Sequence, residues 1–112
     1  MSSVTLYASP RSTPCRFVEL LLTCLKINYD YKPIYVLKGD NSTPEFKKLN
    51  PTKKIPVIID VDGTVMTESI AICIYLSQKY DTTGKFYSND MKTMALLNQR
   101  MLFNEDGFYR SF

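Results

Sequence analysis

Short segments rich in β-branched and aromatic residues alternate with helical segments through about the first eighty residues, and this alternation constrains the fold most. The order is β-α-β-α-β-β-α, with predicted strands at 4–7, 29–36, 55–60 and 64–67 and predicted helices at 12–25, 43–49 and 70–80. Alternation followed by a hairpin predicts an α/β domain in which helices cover a mixed sheet.

Caps and turns mark the ends of several elements. Ser12 offers a hydroxyl that can cap the first helix, and Pro14 suits its first turn. Ser69 is expected to cap the third helix, and Asp62-Gly63 predicts a tight hairpin turn between two strands. The first helix is apolar around most of its girth, so we expect it to be largely buried.

A last predicted helix follows a linker and reaches the end of the chain. Met94, Leu97 and Met101 give it one apolar face, and the chain has no further helix against which that face can pack. This unpaired face indicates that the rest of a second domain is missing from the chain. The alternative is a natural short form whose last helix docks on the first domain or on another chain. We expect a complete first domain, a linker and the first helix of an incomplete all-helical domain, at 1–82, 83–87 and 88–112.

Composition argues against several kinds of site. The chain has no histidine and three scattered cysteines, Cys15, Cys24 and Cys73, so we expect neither a metal site nor a disulfide framework. The net charge is +3, and the lysine pairs at 47–48 and 53–54 are better explained as solvated surface than as nucleic-acid contacts. No apolar run approaches the roughly 18 residues of a membrane span, and the first residues lack signal-peptide features. We expect a cytoplasmic protein that binds neither membranes nor nucleic acids.

The first candidate site is the junction between the first strand and the first helix. A helix N-terminus offers unpaired N–H groups and the positive end of a dipole, which stabilise a thiolate. A thiol–disulfide oxidoreductase would carry its nucleophilic cysteine at the position of Ser12. Serine forms no mixed disulfide, but its hydroxyl can donate to the thiolate of a bound ligand, whereas Cys15 is expected to be buried and inert. Taken alone, Ser12 is more simply explained as a helix cap.

Two further segments can contact a ligand. A cis peptide bond before Pro56 would turn the N–H and C=O of Ile55 toward a ligand, or Pro56 can simply begin an edge strand, and these alternatives stay open. Glu68 and Ser69 precede the third helix, where a carboxylate can bind an ammonium group and a backbone N–H can bind an anion. Together they can hold both charged ends of an amino acid, although capping alone also explains them.

In this order and spacing, the segments resemble the cytosolic glutathione transferases, most closely the insect delta and epsilon classes. The resemblance rests on stretches at 12–16, 50–57, 62–72, 74–76 and 79–80. The first helix of that family's all-helical second domain resembles the stretch that holds Gln99, Arg100, Phe103, Tyr109 and Phe112. The resemblance implies a thioredoxin-like first domain, glutathione as co-substrate, an apolar electrophilic second substrate and a homodimer.

The resemblance also implies a role for each candidate residue. Ser12 is the catalytic residue whose hydroxyl stabilises the glutathione thiolate. The backbone of Ile55, just before Pro56, pairs with the cysteinyl part of glutathione. Glu68 and Ser69 bind the γ-glutamyl end.

Three positions depart from the family pattern. The family usually has histidines where this chain has Asn41 and Lys53, near the glycyl carboxylate of glutathione. Lys53 can keep that contact as a point charge and Asn41 as a hydrogen-bond donor. Ile70 stands where a basic or imidazole side chain is common, which removes a contact to the γ-glutamyl end. We therefore expect glutathione binding to be retained but weakened.

The second-substrate pocket depends on the end of the chain. Tyr109 and Phe112 resemble residues that wall this pocket, or they are core residues that face absent helices. By resemblance, most of the pocket lies in those helices, so we expect weak or no conjugation by the 112-residue chain alone. A non-catalytic glutathione-binding or ligand-sequestering protein is the main alternative to a glutathione transferase. A thiol–disulfide oxidoreductase is disfavoured by Ser12.

Overall fold

The computed structural model describes residues 3–86 and 90–103, and a four-stranded sheet forms its centre. Strand β2 runs parallel to β1, whereas β3 runs antiparallel to both β1 and β4. The mixed sheet predicted from the sequence is therefore confirmed. The order across the sheet is β2-β1-β3-β4, with bounds Val4–Ala8 for β1, Tyr29–Pro33 for β2, Val57–Ile59 for β3 and Val65–Thr67 for β4.

Two long helices cover one face of the sheet. Helices α1 and α3 pack against each other and bury apolar residues with the strands. None of the helices within the described ranges is long and apolar enough to cross a membrane. The helices are α1 (Thr13–Cys24), α2 (Pro44–Leu49), α3 (Ser69–Tyr80) and α4 (Met91–Leu102). The main core comprises Val4, Leu6, Ala8, Cys15, Val18, Leu22, Ile58, Ile72 and Leu76.

The short helix α2 covers the opposite face. Its Phe46 packs with Ile34 and Val57 in a smaller core, and the ring of Tyr7 meets the Phe46 ring edge-on. Successive strand residues point to opposite faces, so Val57 and its neighbour Ile58 belong to different cores. Helices on both faces of the sheet agree with the alternating order of the elements.

Strand β2 ends three residues before the predicted end at 36, and short 3-10 turns at Val36–Lys38 and Asp40–Ser42 follow it. Pairing with β1 stops at Ala8, the last residue of that strand, whose carbonyl accepts from Ile34 N–H at 2.8 Å, and the next donor, Tyr35 N–H, is taken by the Asp40 carboxylate at 2.9 Å. A carboxylate that captures a backbone donor competes with the sheet for it. The β propensity of the segment does not reveal this competition, so the prediction was wrong for its last three residues.

The predicted helix starts agree with the structure in one case and differ in another. Ser12 caps α1 as predicted, because its side chain accepts from Cys15 N–H. Helix α3 begins at Ser69 itself, and Glu68 holds the cap position without a capping side-chain hydrogen bond. The prediction that Ser69 caps α3 was wrong by one residue, because β4 runs into the helix directly through Glu68.

Helix α1 is buried on one side only, although its sequence predicted burial around most of its girth. Val18 and Leu22 have no exposed surface, whereas Phe17 and Leu20 are 60 % and 61 % exposed. A helix that lies on a sheet turns roughly a third of its circumference toward it, so apolar composition alone does not decide burial. The prediction was therefore wrong for the outer face. Helix α4 has no buried residue among those described.

A buried carboxylate ties the β3–β4 hairpin to the C-terminal end of α3. The Asp60 side chain has no exposed surface. Its hydrogen-bond donors are Tyr75 Oη, Lys79 Nζ at 2.7 Å, Tyr80 Oη at 2.6 Å and Val61 N–H at 2.7 Å. Four donors satisfy the carboxylate, so its burial does not leave a charge without partners. Sequence analysis missed this cluster, because the three side-chain partners lie 15–20 residues further along the chain.

The cluster also sets the ionisation of Asp60. Burial by itself raises the pKa of the carboxyl group, but the hydrogen bonds from Lys79 and the two tyrosines outweigh it and hold the pKa well below its usual value. A carboxyl group whose pKa is lower in the folded than in the unfolded state stabilises the fold above the unfolded pKa of about 4. That stabilisation is lost as the pH falls from about 5 toward the folded pKa.

We predict that Asp60→Asn lowers the free energy of unfolding by about 2–4 kcal/mol near neutral pH, because the amide cannot accept from every surrounding donor. Urea unfolding followed by circular dichroism measures the change. The difference from the wild type should shrink as the pH falls from about 5 to 2, since the wild type loses the stabilisation that the variant already lacks.

Asp62→Asn is the matched control for this experiment. Asp62 is exposed and lies 3.7 Å from Lys79 Nζ, so Asp62→Asn should change the free energy of unfolding far less than Asp60→Asn does. Equal losses in the two variants, or a difference that stays constant with pH, would contradict the stabilising role of the buried carboxylate.

Candidate functional site

Ser12 lies between the end of β1 and the start of α1. Its backbone is extended, with φ −87° and ψ 121°, and its Oγ accepts a long hydrogen bond of 3.4 Å from Cys15 N–H. The Ser12 hydroxyl also lies close enough to the Cys15 thiol to form a hydrogen bond that lowers the pKa of that thiol. The cap therefore uses the oxygen as an acceptor and leaves the O–H as a donor suited to a sulfur anion.

Cys15 itself is a poor nucleophile. It is 1 % exposed, and burial raises the pKa of its thiol more than the hydrogen bonds from Ser12 and Ser9 lower it. Burial also raises the pKa of Cys73, to about 11, whereas Cys24 is exposed. The expectation that Cys15 is buried is confirmed. A thiol with a raised pKa holds little thiolate near neutral pH, which disfavours redox chemistry at this position.

Asn50 organises the loop between α2 and β3. Its side chain is 3 % exposed and donates from Nδ2 to the carbonyl of Lys54 at 2.9 Å. Its Oδ1 accepts from the backbone N–H and the hydroxyl of Thr52, at 3.1 Å and 2.8 Å. Sequence analysis included Asn50 only as the first residue of the resembling stretch 50–57, directly after the predicted helix 43–49. An asparagine followed by proline, here Pro51, favours a turn closed by its side chain, and this signal could have revealed its role.

The structure brings Asn41 and Lys53 together. Asn41 donates from Nδ2 to the backbone carbonyl of Lys53 at 3.1 Å, and Lys53 N–H donates to the carbonyl of Asn50 at 2.9 Å. The Lys53 backbone has a φ of 62°, which is uncommon for a residue with a side chain. These hydrogen bonds hold the Lys53 loop and leave the lysine side chain exposed.

The peptide bond between Ile55 and Pro56 is cis, which is one of the two alternatives that the sequence left open. Pro56 is buried, Ile55 is half-buried, and β3 begins at Val57. Neither the N–H nor the C=O of Ile55 forms a hydrogen bond with another residue in the described part of the chain. Both groups are available to a ligand at the end of the sheet where β3 starts.

Glu68 joins β4 to α3 in a strained conformation that the sequence did not predict. Its φ and ψ are 71° and 113°. Such a backbone costs about 1–3 kcal/mol and persists where the surrounding structure enforces it, most often at functional sites. Ser69 follows as the first residue of α3 and is 8 % exposed. Its N–H is therefore one of the groups at the helix N-terminus that lack a partner within the helix.

The candidate segments meet at one end of the sheet. Ser12 follows the C-terminal end of β1, Ile55 precedes the N-terminal end of β3, and Glu68 follows the C-terminal end of β4. Because β3 is antiparallel to both β1 and β4, these three strand ends lie at the same end of the sheet. Strands β1 and β4 are two strand spacings apart, about 10 Å, which is a distance that a tripeptide can bridge.

The second-substrate pocket and the expected absence of a metal site are the two remaining predictions about the site. Tyr109 and Phe112, assigned to the second-substrate pocket, lie outside the described residues. Within residues 3–86 and 90–103, no group of three or more His, Cys, Asp or Glu side chains could hold a metal ion. The groups at the sheet edge are a hydroxyl, backbone N–H and C=O groups, a carboxylate and a lysine.

A protein-family model matches most of the part of the chain that forms this fold. The family model described as the N-terminal domain of glutathione S-transferase matches residues 6–84, which include β2, β3 and β4 and all of β1 except its first two residues. The chain therefore belongs to the glutathione S-transferase family. Its sheet and helices form the thioredoxin-like fold of that domain, as the resemblance implied.

Solved structures agree with the family model. A delta-class glutathione transferase from Nilaparvata lugens is 38 % identical, with a TM-score of 0.90 over 97 % of this chain and 51 % of its own. A glutathione transferase homologue from Drosophila mojavensis with bound glutathione is 33 % identical, with a TM-score of 0.90 over 95 % and 48 %. An epsilon-class glutathione S-transferase from the housefly Musca domestica is 30 % identical, with a TM-score of 0.88 over 92 % and 47 %. The chain spans about half the length of these relatives, and the delta and epsilon resemblance is confirmed.

We predict that Cys24 reacts with iodoacetamide well before Cys15 or Cys73 near neutral pH, because Cys24 is exposed and burial raises the pKa of the other two thiols. Mass spectrometry of peptides after timed labelling of the folded protein measures the order. Labelling in urea is the control and should make the three rates similar. Faster labelling of Cys15 than of Cys24 in the folded state would revive the oxidoreductase alternative.

Proposed function

We propose that the intact protein is a glutathione S-transferase that joins the glutathione thiolate to apolar electrophilic molecules. The observation that carries the proposal is the meeting of Ser12, Ile55 and Glu68 at one edge of the sheet. They offer a ligand a hydroxyl donor, unpaired backbone groups and a carboxylate. The Drosophila mojavensis relative with bound glutathione supports the choice of ligand.

Ser12 stabilises the nucleophile. A free thiol has a pKa of about 8.5, so most glutathione is protonated near neutral pH and does not attack carbon. A hydrogen bond from the Ser12 hydroxyl to the sulfur, together with the N-terminal end of α1, favours the thiolate by about 1–3 kcal/mol. The thiol proton passes to solvent, the thiolate forms a carbon–sulfur bond, and the electrophile releases its leaving group with the bonding electrons.

The other residues bind the three parts of the tripeptide. Glu68 contacts the γ-glutamyl ammonium group, and Ser69 N–H contacts the adjacent carboxylate, because the N-terminus of α3 favours an anion. The backbone of Ile55 pairs with the cysteinyl unit as neighbouring strands pair. Lys53 supplies a point charge to the glycyl carboxylate. Asn41 holds the Lys53 carbonyl with one N–H and keeps a second N–H for the ligand.

Further parts of the proposal rest on family membership. The glutathione-binding domain occupies 1–82, a linker 83–87, and a helical domain starts at 88–112. Tyr109 and Phe112 line the pocket for the apolar substrate, and the protein acts as a cytoplasmic homodimer. The 112-residue chain alone conjugates weakly or not at all, because much of that pocket is built from helices of the second domain.

A non-catalytic glutathione-binding protein on the same fold is the second candidate. It is favoured by Ile70, an apolar residue directly after Ser69, and by Asn41 and Lys53 in place of the usual histidines. These replacements concern the two ends of glutathione and leave Ser12 unchanged, so the transferase is the stronger proposal. Binding of glutathione without conjugation of any of a panel of aryl and alkyl electrophiles would favour the second candidate.

Calorimetric titration of the intact protein with glutathione tests the binding that both candidates require. We expect a dissociation constant of about millimolar for glutathione, which corresponds to a binding free energy of about −4 kcal/mol. The expected affinity is modest because Ile70 and the replaced histidines remove contacts at both ends of the tripeptide. An absence of heat and of saturation at millimolar glutathione would contradict both candidates.

We predict that Ser12→Ala lowers kcat/KM for conjugation about 10- to 100-fold near neutral pH, because it removes a hydrogen bond to a charged sulfur worth about 1.5–3 kcal/mol. The loss should shrink above about pH 9, where the thiol ionises without help. Spectrophotometric assays with an aryl halide substrate across this pH range measure both effects.

Thr13→Ala is the matched control for Ser12→Ala. Thr13 carries an exposed hydroxyl one residue further along the chain, so its loss should leave the rate nearly unchanged. Thermal unfolding reports separately on the lost cap of α1, which costs about 1 kcal/mol. Equal rates for the wild type and Ser12→Ala at neutral pH would overturn the assignment of Ser12.

A further inference from the structure

The net charge of the chain is concentrated beside the candidate site. Residues 43–59 contain four lysines and one glutamate, a charge of +3 that equals the charge of the whole chain. The remaining residues contain ten basic and ten acidic side chains and are neutral in sum. A cluster of one sign creates a local potential that acts beyond direct contact.

The four lysines lie on the last turn of α2 and on the loop that follows it, and all of them are exposed. Asn50 folds this loop, since its carbonyl accepts from Lys53 N–H and its side chain donates to the Lys54 carbonyl, both at 2.9 Å. With that turn, the Cα atoms of Lys48 and Lys53 lie within about 14 Å of each other. The four lysines therefore belong to one short segment, residues 47–54, which ends next to the cis peptide bond between Ile55 and Pro56.

No ion pair in the described part of the chain includes any of these four lysines. The ion pairs found there join Lys79 to Asp60 and Asp62, at the other end of α3. Glu45 is already counted in the charge of the segment, and the charges of Asp40 and Lys38, just before it, cancel. The excess positive charge therefore remains available to an incoming anion.

We infer that Lys47, Lys48 and Lys54 attract anionic glutathione and strengthen its binding without touching it. The inference rests on the proposed function, because it names how that site recruits its ligand. Glutathione near neutral pH carries two carboxylates and one ammonium group, so it is a net anion. Lys53 is left out of the set because the proposed function places its ammonium group in direct contact with the glycyl carboxylate.

The size of the effect follows from screening. The Debye length is about 30 Å at 10 mM salt and less than 5 Å at 0.5 M salt. In water at 10 mM salt, three unit charges held about 15 Å from a singly charged anion change its dissociation constant about two- to threefold. Reversal of the same charges doubles the change in charge and gives about a fivefold change. Both effects should disappear at 0.5 M salt.

The test compares two triple variants of the intact protein that have the same net charge. The surface variant is Lys47→Gln/Lys48→Gln/Lys54→Gln. The control variant, which removes three exposed lysines elsewhere, is Lys26→Gln/Lys85→Gln/Lys92→Gln. Calorimetry gives the dissociation constant of glutathione for the wild type and both variants at about 10 mM and 0.5 M salt. A charge-reversed surface variant, with Glu at the same three positions, shows whether the effect grows with charge.

At low salt the surface variant should bind glutathione about two- to threefold more weakly and its charge-reversed form about fivefold more weakly, with no difference at high salt. The control variant should bind like the wild type. A surface variant that binds as tightly as the wild type at low salt, or a control variant that loses as much affinity, overturns the inference and leaves the proposed function standing. A wild type that does not bind glutathione overturns both.

Discussion

The antiparallel pairing of β3 with both of its neighbours is the constraint on which the candidate site depends. The strand has three paired residues, Val57–Ile59, yet it links β1 to β4 and contributes to both cores. A shift of its register by one residue would exchange the residues of the two faces. Burial of Val57 under α2 and of Ile58 under α1 and α3 prevents that exchange. The same register sets the unpaired backbone of Ile55 at the edge where Ser12 begins α1.

The two ends of α3 meet different physical demands. At the C-terminal end, Asp60 accepts hydrogen bonds from the side chains of the helix and fixes it to the hairpin. At the N-terminal end, Glu68 adopts a positive φ that a free chain would avoid. The strained residue is tolerated because β4 on one side and the buried Ile72 and Leu76 on the other hold both of its neighbours in place. Stability gained along the helix offsets the cost at the end that faces the candidate ligand.

Caps, turns and hydrophobic patterns within short segments made the order of the helices and strands predictable. The buried cluster around Asp60 and the convergence of the candidate segments depend on contacts between distant residues and could not be predicted in this way. Ser12 could be recognised as a cap from its own side chain and the proline that follows it. The partners of Asp60 could not be recognised from the sequence, because they lie on the later helix α3. Only the packed fold brings them to the carboxylate. The candidate segments were each visible in the sequence, but their convergence depends on strand order and direction, which neither propensity nor motif encodes. The exposed outer face of α1 was mispredicted because apolar composition does not say how much of a helix the sheet can cover.

Serine instead of cysteine at position 12 determines whether the chain itself supplies a sulfur nucleophile at the start of α1. A helix N-terminus after a strand stabilises any thiolate placed against it. With Ser12 there and Cys15 buried one turn further on, the chain supplies no nucleophile of its own at this point. The proposed nucleophile must then arrive with a diffusing ligand, which has to be held at both ends to place its sulfur against one hydroxyl. In the proposed function Glu68 and Lys53 bind those two ends, and in the further inference Lys47, Lys48 and Lys54 extend the attraction of the second end into solvent.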